Sequence, residues 1–207
     1  MKLLSKNFYL SEDVAALALQ LLGKVLICES DGIISHSRIV ETEAYRGPDD
    51  KACHAYNNRR TDRTEVMYAA GGCAYVYISY GMHHLLNVVT APQDKAHAVL
   101  IRAVEPILGL ESIQQRRGIE ANNYLLTGGP GKICQGLGID KSWNRLLFYD
   151  PKSPLRIADD GFKPGEVITT PRVGMSVHVG PHAHWPWRCY LAGNQWVSRP
   201  LKLSYSW

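Results

Sequence analysis

The sequence predicts a single mixed α/β domain that spans residues 1–207. A chain of this length can bury one core of its own, and no internal repeat, low-complexity tract or clear linker divides it. Asp31 and Gly32 lie between two runs that favour β structure, which is a strong hairpin signal. An amphipathic segment before that hairpin predicts a helix, so both kinds of element are expected.

Three segments are predicted to form or to open helices. Ser11–Leu22 begins with a plausible N-cap, carries acids in its first turn and has one apolar face. Pro106–Arg117 starts with a proline suited to the first helical position and stops at Gly118. Thr127–Gly138 is a glycine-rich turn leading into a helix with Pro130 at its start.

The remaining regular structure is predicted to be β. The Asp-Gly turn joins Val25–Glu29 to Ile33–Tyr45, and Ala74–Met82 is expected to turn back into His84–Thr90. Further strands are predicted at His97–Val104, Leu155–Ala158, Val167–Thr170, Val173–Val179 and Arg188–Ala192.

Composition narrows the class of protein. No apolar run approaches the roughly 18 residues of a membrane span, and the N-terminus lacks the features of a signal peptide. The net charge of 23 − 19 = +4 permits a polyanionic partner without requiring one. Five scattered cysteines without a CxxC pair indicate reduced thiols. We therefore expect a cytosolic protein, or a nuclear one if the source is eukaryotic, with no membrane contact.

The most informative stretch is Arg38–His54, RIVETEAYRGPDDKACH. If its first part is a strand, alternation places Glu41, Glu43 and Tyr45 on one face together with Ile39. The opposite face then carries Val40, Thr42 and Ala44. Two carboxylates and a phenol on one face indicate either a solvated sheet face or a pocket with a functional carboxylate.

Tyrosines and an arginine mark two further strands. Tyr75 and Tyr77 share a face, and Tyr80 precedes Gly81 near a hairpin tip, where a large aromatic has little core to fill. These tyrosines are either ordinary strand formers, or a stacking platform at Tyr77 and a wedge at Tyr80. Arg102 stands in an apolar strand and needs a partner, which Glu41 or Glu43 could supply.

Other polar clusters allow two interpretations each. The run at residues 57–64 contains Arg59, Arg60 and Arg63, and is either a solvated loop or a phosphate-contacting edge. Lys132, at the start of the glycine-rich helix, could help to hold an anion such as one DNA phosphate. Three histidines occur at His178, His182 and His184; their spacing is not that of a zinc site, so they are interpreted as surface residues.

Several motifs, in this order, resemble the alkyladenine (3-methyladenine) DNA glycosylases of the mammalian and Bacillus type. They are ETEAY, GPDD with His54, YVYISYGM at Tyr75–Met82, Asn87, LIRAVEP at Leu100–Pro106, LTGGPGKICQGLGI at Leu126–Ile139 and PRVG at Pro171–Gly174. The resemblance extends from LLGK at Leu21 to WVSR at Trp196. It implies one α+β domain on a curved, mainly antiparallel sheet, a partly open barrel with helices around it and a protruding hairpin.

The resemblance also implies an activity. It is that of a monofunctional DNA glycosylase in base excision repair, which flips 3-methyladenine, 7-methylguanine or hypoxanthine out of duplex DNA and hydrolyses the N-glycosidic bond. One carboxylate can activate the water and stabilise the sugar cation, and a cationic base leaves without acid help. The implied partner is damaged double-stranded DNA, approached from the minor groove by a monomer, and no cofactor or metal is expected.

Residue by residue, the resemblance assigns the catalytic carboxylate to Glu43, whereas strand geometry alone leaves Glu41 open. It implies that Tyr45, His54 and Tyr77 hold the flipped base, that Asn87 screens against guanine and that Arg102 contacts a phosphate. Tyr80 resembles the intercalating wedge. Further DNA contacts are expected from Met82, Arg63 and Lys132. His83 departs from the family, whose members often carry an aromatic there.

Two other classes of function remain open. A metal-dependent nuclease or phosphatase could use Glu41, Glu43, Asp49, Asp50 and His54 as ligands, and EDTA would then abolish activity. A non-catalytic nucleic-acid-binding module could present tyrosines on a curved sheet without chemistry. Release of free methylpurine from methylated DNA would distinguish an enzyme from such a module.

Overall fold

The computed structural model describes residues 1–199 and shows one mixed α/β domain built on a nine-stranded sheet. The strands are β1 Lys2–Leu3, β2 Val25–Ser30, β3 Ile33–Arg46, β4 Ala74–Ser79, β5 His83–Thr90, β6 His97–Leu108, β7 Leu155–Asp159, β8 Val167–Thr170 and β9 Arg188–Leu191. Their main path is β1-β7-β2-β3-β6-β5-β4, with β9 beside β3 and β8 beside β9. All of these pairings are antiparallel, which confirms the predicted fold class. Within the described residues β1 and β4 do not pair, so the sheet does not close into a barrel.

Strand β3 organises the sheet. Its first half pairs with β2, its second half pairs with β9, and its other edge pairs with β6 along most of its length. The change of partner coincides with a bulge: Ile39 pairs with Val104 and Glu41 with Ala103, so Val40 is an extra residue. Bulges re-aim the side chains that follow them and are frequent next to active sites.

One part of the predicted alternation is wrong because of this bulge. Ile39 and Val40 both belong to the main hydrophobic core, so Ile39 does not share the face of the glutamates. Beyond the bulge the expected face is present, because Tyr45 and Glu43 are hydrogen-bonded and Arg102 contacts both Glu41 and Glu43.

Four α-helices and several 3-10 turns cover the sheet in the described part of the chain. The α-helices are α1 Val14–Leu21, α2 Leu110–Arg117, α3 Tyr124–Thr127 and α4 Pro130–Leu137. The 3-10 helices are Lys6–Leu10, Tyr56–Asn58, Glu65–Tyr68, Lys141–Trp143 and Val177–His184. In α4 the predicted start at Pro130 is confirmed, and the helix ends at Gly138, whose backbone is left-handed.

Three sequence predictions are wrong in detail. The N-cap of α1 is Asp13, whose carboxylate accepts a hydrogen bond from the Ala16 N–H, and not Ser11. Pro106 lies inside β6, and α2 begins only after Gly109. A proline is tolerated there because this end of β6 pairs with β3 alone, beside a register shift.

The third error concerns the predicted strand Val173–Val179. The chain forms a turn at Gly174, whose φ of +71° breaks an extended run, and then the 3-10 helix that starts at Val177. The Ser176 hydroxyl accepts a hydrogen bond from the His178 N–H and caps that helix.

No helix in residues 1–199 combines the length and the apolar character that a membrane span requires. All five cysteines are buried free thiols.

Candidate active site

A cavity of about 240 Å³ opens between β3, β4, β5 and the loops after β3 and β8. It is smaller than the roughly 300 Å³ at which pockets for drug-sized ligands begin, and it suits a single planar ring system. Its lining comprises Tyr45, Ala52, Cys53, His54, Met67, Tyr75, Tyr77, Tyr80, Asn87, Ala98, Gly174 and Met175. The structure thus brings together Tyr45, His54, Tyr77, Tyr80 and Asn87, which are far apart in sequence.

Aromatic rings form the walls of this cavity. The His54 ring stands perpendicular to the Tyr77 ring at a centroid distance of 4.6 Å, and the Tyr75 and Tyr77 rings are 5.2 Å apart. Burial raises the pKa of Tyr77 to about 12, so its ring carries no charge near neutral pH. Asn87 is buried and donates from Nδ2 to the Tyr75 carbonyl at 3.1 Å. Such walls favour stacking with a flat heteroaromatic ring.

Glu43 lies directly behind this wall and is fully buried. Its Oε2 accepts a hydrogen bond from the Tyr45 hydroxyl at 2.7 Å and a weaker one from Arg102 Nη1 at 3.4 Å. Its Oε1 accepts one from the Val173 N–H at 2.7 Å. Two of its hydrogen-bond donors thus belong to the cavity wall or adjoin it: Tyr45 lines the cavity, and Val173 precedes Gly174, which also lines it.

Glu41 has a different environment, although it is equally buried. Its Oε1 accepts hydrogen bonds from Arg188 Nε at 2.6 Å, Arg102 Nε at 3.2 Å and the Ser198 hydroxyl at 2.8 Å. Its Oε2 accepts one from the Ser198 N–H at 2.8 Å. Glu41 therefore ties β3 to β9 and to the segment after it, which favours a structural role.

Arg102 links the two carboxylates, as its position in an apolar strand predicted. On β6 it lies between Ala103, which pairs with Glu41, and Ile101, which pairs with Thr42, so the register of β3 and β6 shifts at Arg102. Burial lowers its pKa, but the charges of Glu43 and Glu41 outweigh that effect and raise it, so the guanidinium stays charged. Only 11% of the side chain is exposed, and the predicted phosphate contact stays a prediction.

A buried ion pair that the sequence interpretation missed holds the site together. Asp50 and Arg172 are both fully buried. Arg172 Nη2 donates to Asp50 Oδ1 at 2.9 Å, and Nη1 donates to the other carboxylate oxygen and to the Ala44 carbonyl. The guanidinium also lies 4.8 Å from the centre of the Tyr45 ring. The ion pair thus joins the PRVG segment to the GPDD loop and holds the Arg172 guanidinium over the Tyr45 ring.

The acids proposed as metal ligands do not converge on one point. Asp50 pairs with Arg172, Glu41 with two arginines, and Asp49 with Arg46 at the exposed rim. In residues 1–199, no three His, Cys, Asp or Glu side chains are grouped to hold a metal ion.

The histidines at positions 178, 182 and 184 differ in their exposure to solvent. His178 and His184 are exposed, as predicted, but His182 is half-buried. Its Nδ1 accepts a hydrogen bond from the Lys51 N–H at 3.0 Å, and its ring stacks on Trp185 at 4.3 Å. His182 thus lies at the surface but is only partly exposed, because its ring packs beside the GPDD loop.

The protonation of His54 follows from its neighbours. Arg63 Nη2 lies 3.2 Å from His54 Nε2, and His54 Nδ1 lies 2.9 Å from the Tyr75 hydroxyl oxygen. A guanidinium can only donate, so Nε2 must accept and Nδ1 must carry the proton that it donates to Tyr75. Burial, and then the charge of Arg63, lower the pKa of His54 to about 4.

We expect His54 to stay neutral down to about pH 5. Its pKa in the folded state is below its usual 6.5, so the unfolded state binds more protons between these values. The contribution of His54 to the free energy of unfolding therefore rises from about pH 4 to 6.5 and is constant above. An NMR titration should give a midpoint near 4, and Arg63→Met should raise it. A wild-type midpoint near 6.5 would contradict the effect of burial and of the Arg63 charge on the pKa of His54.

The β4–β5 hairpin projects an apolar tip beside the cavity. Tyr80 is 93% exposed and Met82 is 72% exposed, and Tyr80 and Gly81 both have left-handed backbone angles. A groove beside the tip runs to the start of α4, where Lys132 Nζ donates to the Tyr124 carbonyl at 3.4 Å. His83 is exposed and packs against Gly131 on the same side.

The three arginines of residues 57–64 have different surroundings in the structure. Arg60 pairs with Glu65 and Asp94, so its charge is balanced within the protein. Arg63 lies 5.0 Å from the centre of the Tyr77 ring, which is part of the cavity wall. Arg59 is exposed and lines a neighbouring basic depression together with Lys51 and Arg63.

Comparison with known proteins gives a consistent result. The family profile described as methylpurine-DNA glycosylase (MPG) matches residues 7–195. A protein of Chlamydia pneumoniae is 51% identical over 191 residues, which are 92% of this chain and 95% of that protein. Proteins of Desulfitobacterium hafniense and Bdellovibrio bacteriovorus are 44% and 42% identical over 96% and 95% of this chain, and 99% of their own lengths. All three bear the name "Putative 3-methyladenine DNA glycosylase".

The fold, the aromatic cavity with its buried carboxylate, and these matches together define a DNA glycosylase, a hydrolase of N-glycosidic bonds. The chain belongs to the methylpurine-DNA glycosylase family, because the family profile covers nearly all of it. The family resemblance of the sequence motifs is thereby confirmed.

Proposed function

We propose that this protein flips alkylated or deaminated purines out of duplex DNA into the aromatic cavity and hydrolyses their N-glycosidic bond with a water activated by Glu43. The observation that carries the proposal is the position of the buried Glu43 carboxylate directly behind Tyr45, a wall of the cavity. The substrates are 3-methyladenine, 7-methylguanine and hypoxanthine. Asn87, buried in the lining, is the residue that would meet the N2 amine of a normal guanine.

The chemistry needs one carboxylate and a polarised surrounding. As the bond between C1′ and the base nitrogen breaks, its electron pair goes to the base and positive charge grows on the sugar. Glu43 accepts a proton from the water whose oxygen attacks C1′, and its negative charge stabilises the cation. The hydrogen bonds from Tyr45 and Val173 fix the carboxylate in one orientation.

A cationic base needs no further catalyst to leave. A purine methylated at N3 or N7 takes up the electron pair and departs as a neutral molecule. This differs from ordinary glycoside hydrolysis, in which a second carboxyl group must protonate the departing oxygen. One activating carboxylate is therefore enough for these lesions.

The exposed surface around the cavity supports binding of double-stranded DNA from its minor groove. Tyr80 would replace the flipped nucleotide in the stack, with Met82 beside it. Arg63, Lys132 and Arg102 would contact phosphates, the last after a rearrangement that exposes it. The protein would act as a monomer, in the cytosol or nucleus where the genome lies.

Base release tests the function directly. A duplex with a single 7-methylguanine is incubated with the protein with and without EDTA, and free base and strand breaks are measured separately. We expect free 7-methylguanine, an intact abasic strand and no effect of EDTA. Loss of activity in EDTA would favour the metal-dependent nuclease, and a borohydride-trapped DNA adduct would indicate an amine nucleophile.

Tyr80→Ala should weaken extrusion of the lesion more than the chemical step. A wedge offsets the few kcal/mol that unstacking costs, and Tyr80 is the most exposed aromatic at the hairpin tip. Stopped-flow fluorescence of a base analogue beside the lesion should show a less populated flipped state. Ile78→Ala, an exposed apolar change on the same hairpin, is the matched control. An unchanged flipping equilibrium would mean that Tyr80 does not act as a wedge.

A further inference from the structure

The hydroxyl of Tyr75, in the cavity wall, has a proton that it can donate to a ligand. Tyr75 is 3% exposed and lines the cavity beside Tyr77 and His54. Its oxygen accepts the proton of His54 Nδ1, because Arg63 forces Nε2 of that ring to be the acceptor. Within residues 1–199 no carbonyl or carboxylate accepts the proton of Tyr75 itself.

The other two tyrosines of the cavity differ from Tyr75. The Tyr45 hydroxyl donates its proton to Glu43 and cannot offer it to a ligand at the same time. Tyr77 is half-buried and presents its ring to the cavity. Burial raises the pKa of Tyr75, so its hydroxyl keeps its proton near neutral pH. A buried donor in a water-poor wall is worth most to a ligand that gains negative charge.

We propose that Tyr75 is a catalytic residue for neutral purines, whose departing base accepts a hydrogen bond from its hydroxyl. This proposal rests on the proposed glycosylase function and extends it to the leaving group. When hypoxanthine leaves, the electron pair of the broken bond makes the base an anion, and a donor aimed at it lowers the barrier. When 7-methylguanine leaves, the same pair neutralises an existing cation, so the donor adds little.

The ratio of two excision rates tests this role. Tyr75→Phe removes the hydroxyl and keeps the ring, and single-turnover excision of hypoxanthine and 7-methylguanine is measured at saturating enzyme in one duplex context. Loss of one such donor typically costs about 10²-fold in rate. We expect about that loss for hypoxanthine and a change within about threefold for 7-methylguanine. An equal loss for both lesions, or no loss for either, would overturn the proposal.

A matched control is available in the smaller hydrophobic cluster to which Tyr75 belongs. Tyr68 packs with Tyr75 there, and its buried hydroxyl has no hydrogen-bond partner among the described residues. Tyr68→Phe should leave both rates and their ratio unchanged. Tyr77→Phe serves as a comparison. If hypoxanthine excision were selectively lost in Tyr77→Phe and not in Tyr75→Phe, the donor would be Tyr77 and the proposal would be wrong.

Arg63→Met tests the same mechanism without touching the core, because Arg63 is exposed. Without this guanidinium, His54 can move its proton to Nε2 and accept the proton of Tyr75 at Nδ1. Hypoxanthine excision should then fall relative to that of 7-methylguanine, in the same direction as in Tyr75→Phe. An unchanged ratio in both variants would overturn the proposal, whereas absence of any base release by the wild-type protein would instead refute the proposed function.

Discussion

Glu43→Gln is expected to lower single-turnover base release by about 10²- to 10⁴-fold, because an amide cannot take the proton of the attacking water. The change keeps the size of a fully buried side chain that is hydrogen-bonded to Tyr45 and Val173. Binding of damaged DNA should stay within about tenfold of the wild type, since Glu43 does not line the cavity surface. Excision of 7-methylguanine by excess enzyme, followed from milliseconds to hours, gives the rate.

The matched control is Glu41→Gln, two residues away on the same strand face. This change weakens contacts with Arg188, Arg102 and Ser198, so we expect a loss of stability rather than of chemistry. Leaving a buried arginine without its carboxylate typically costs about 3–5 kcal/mol. If folded Glu41→Gln were inactive while Glu43→Gln excised normally, the catalytic carboxylate would be Glu41.

Asp50→Asn is expected to lower the free energy of unfolding by about 3–5 kcal/mol, since it leaves Arg172 buried without its carboxylate. The loss should also loosen Tyr45, over which the guanidinium packs, and should therefore slow excision in the molecules that remain folded. Urea denaturation followed by circular dichroism gives the stability. Tryptophan fluorescence gives a second signal, to which Trp187 contributes from 5.4 Å beside the same guanidinium.

Asp49→Asn is the control for this change. Asp49 precedes Asp50 in the chain, but it is exposed and pairs with the partly exposed Arg46. Exposed ion pairs contribute about 0–1 kcal/mol, so the substitution should alter stability little. Similar small losses for both variants would show that the buried pair does not hold the site together.

Local sequence signals predicted the elements whose causes are local. The Asp-Gly turn gave the β2–β3 hairpin, with Ser30 pairing directly with Ile33. Pro130 and Gly138 fixed the ends of α4, because one lacks an N–H and the other adopts a left-handed backbone. Tyr80 was placed at a hairpin tip by the glycine that follows it, and the structure exposes it there.

Features that depend on distant partners were not predictable in the same way. The bulge at Val40 arises where β3 changes its partner from β2 to β9, and β9 lies almost 150 residues later in the sequence. Arg172 was part of a recognised motif, yet nothing near it in the sequence points to Asp50. For the same reason alternation could not rank Glu41 and Glu43, since their distinguishing partners, Ser198 and Val173, lie 157 and 130 residues later in the sequence.

The most direct measurement is a crystal structure of Glu43→Gln bound to a duplex that contains hypoxanthine. We expect the damaged base inside the aromatic cavity, stacked between Tyr45 and the Tyr77–His54 wall, with Tyr80 in its former place in the duplex. The side chain at position 43 should lie within one water of C1′. A base that stays stacked in the duplex, or one that binds outside this cavity with position 43 remote from C1′, would contradict the proposed hydrolysis.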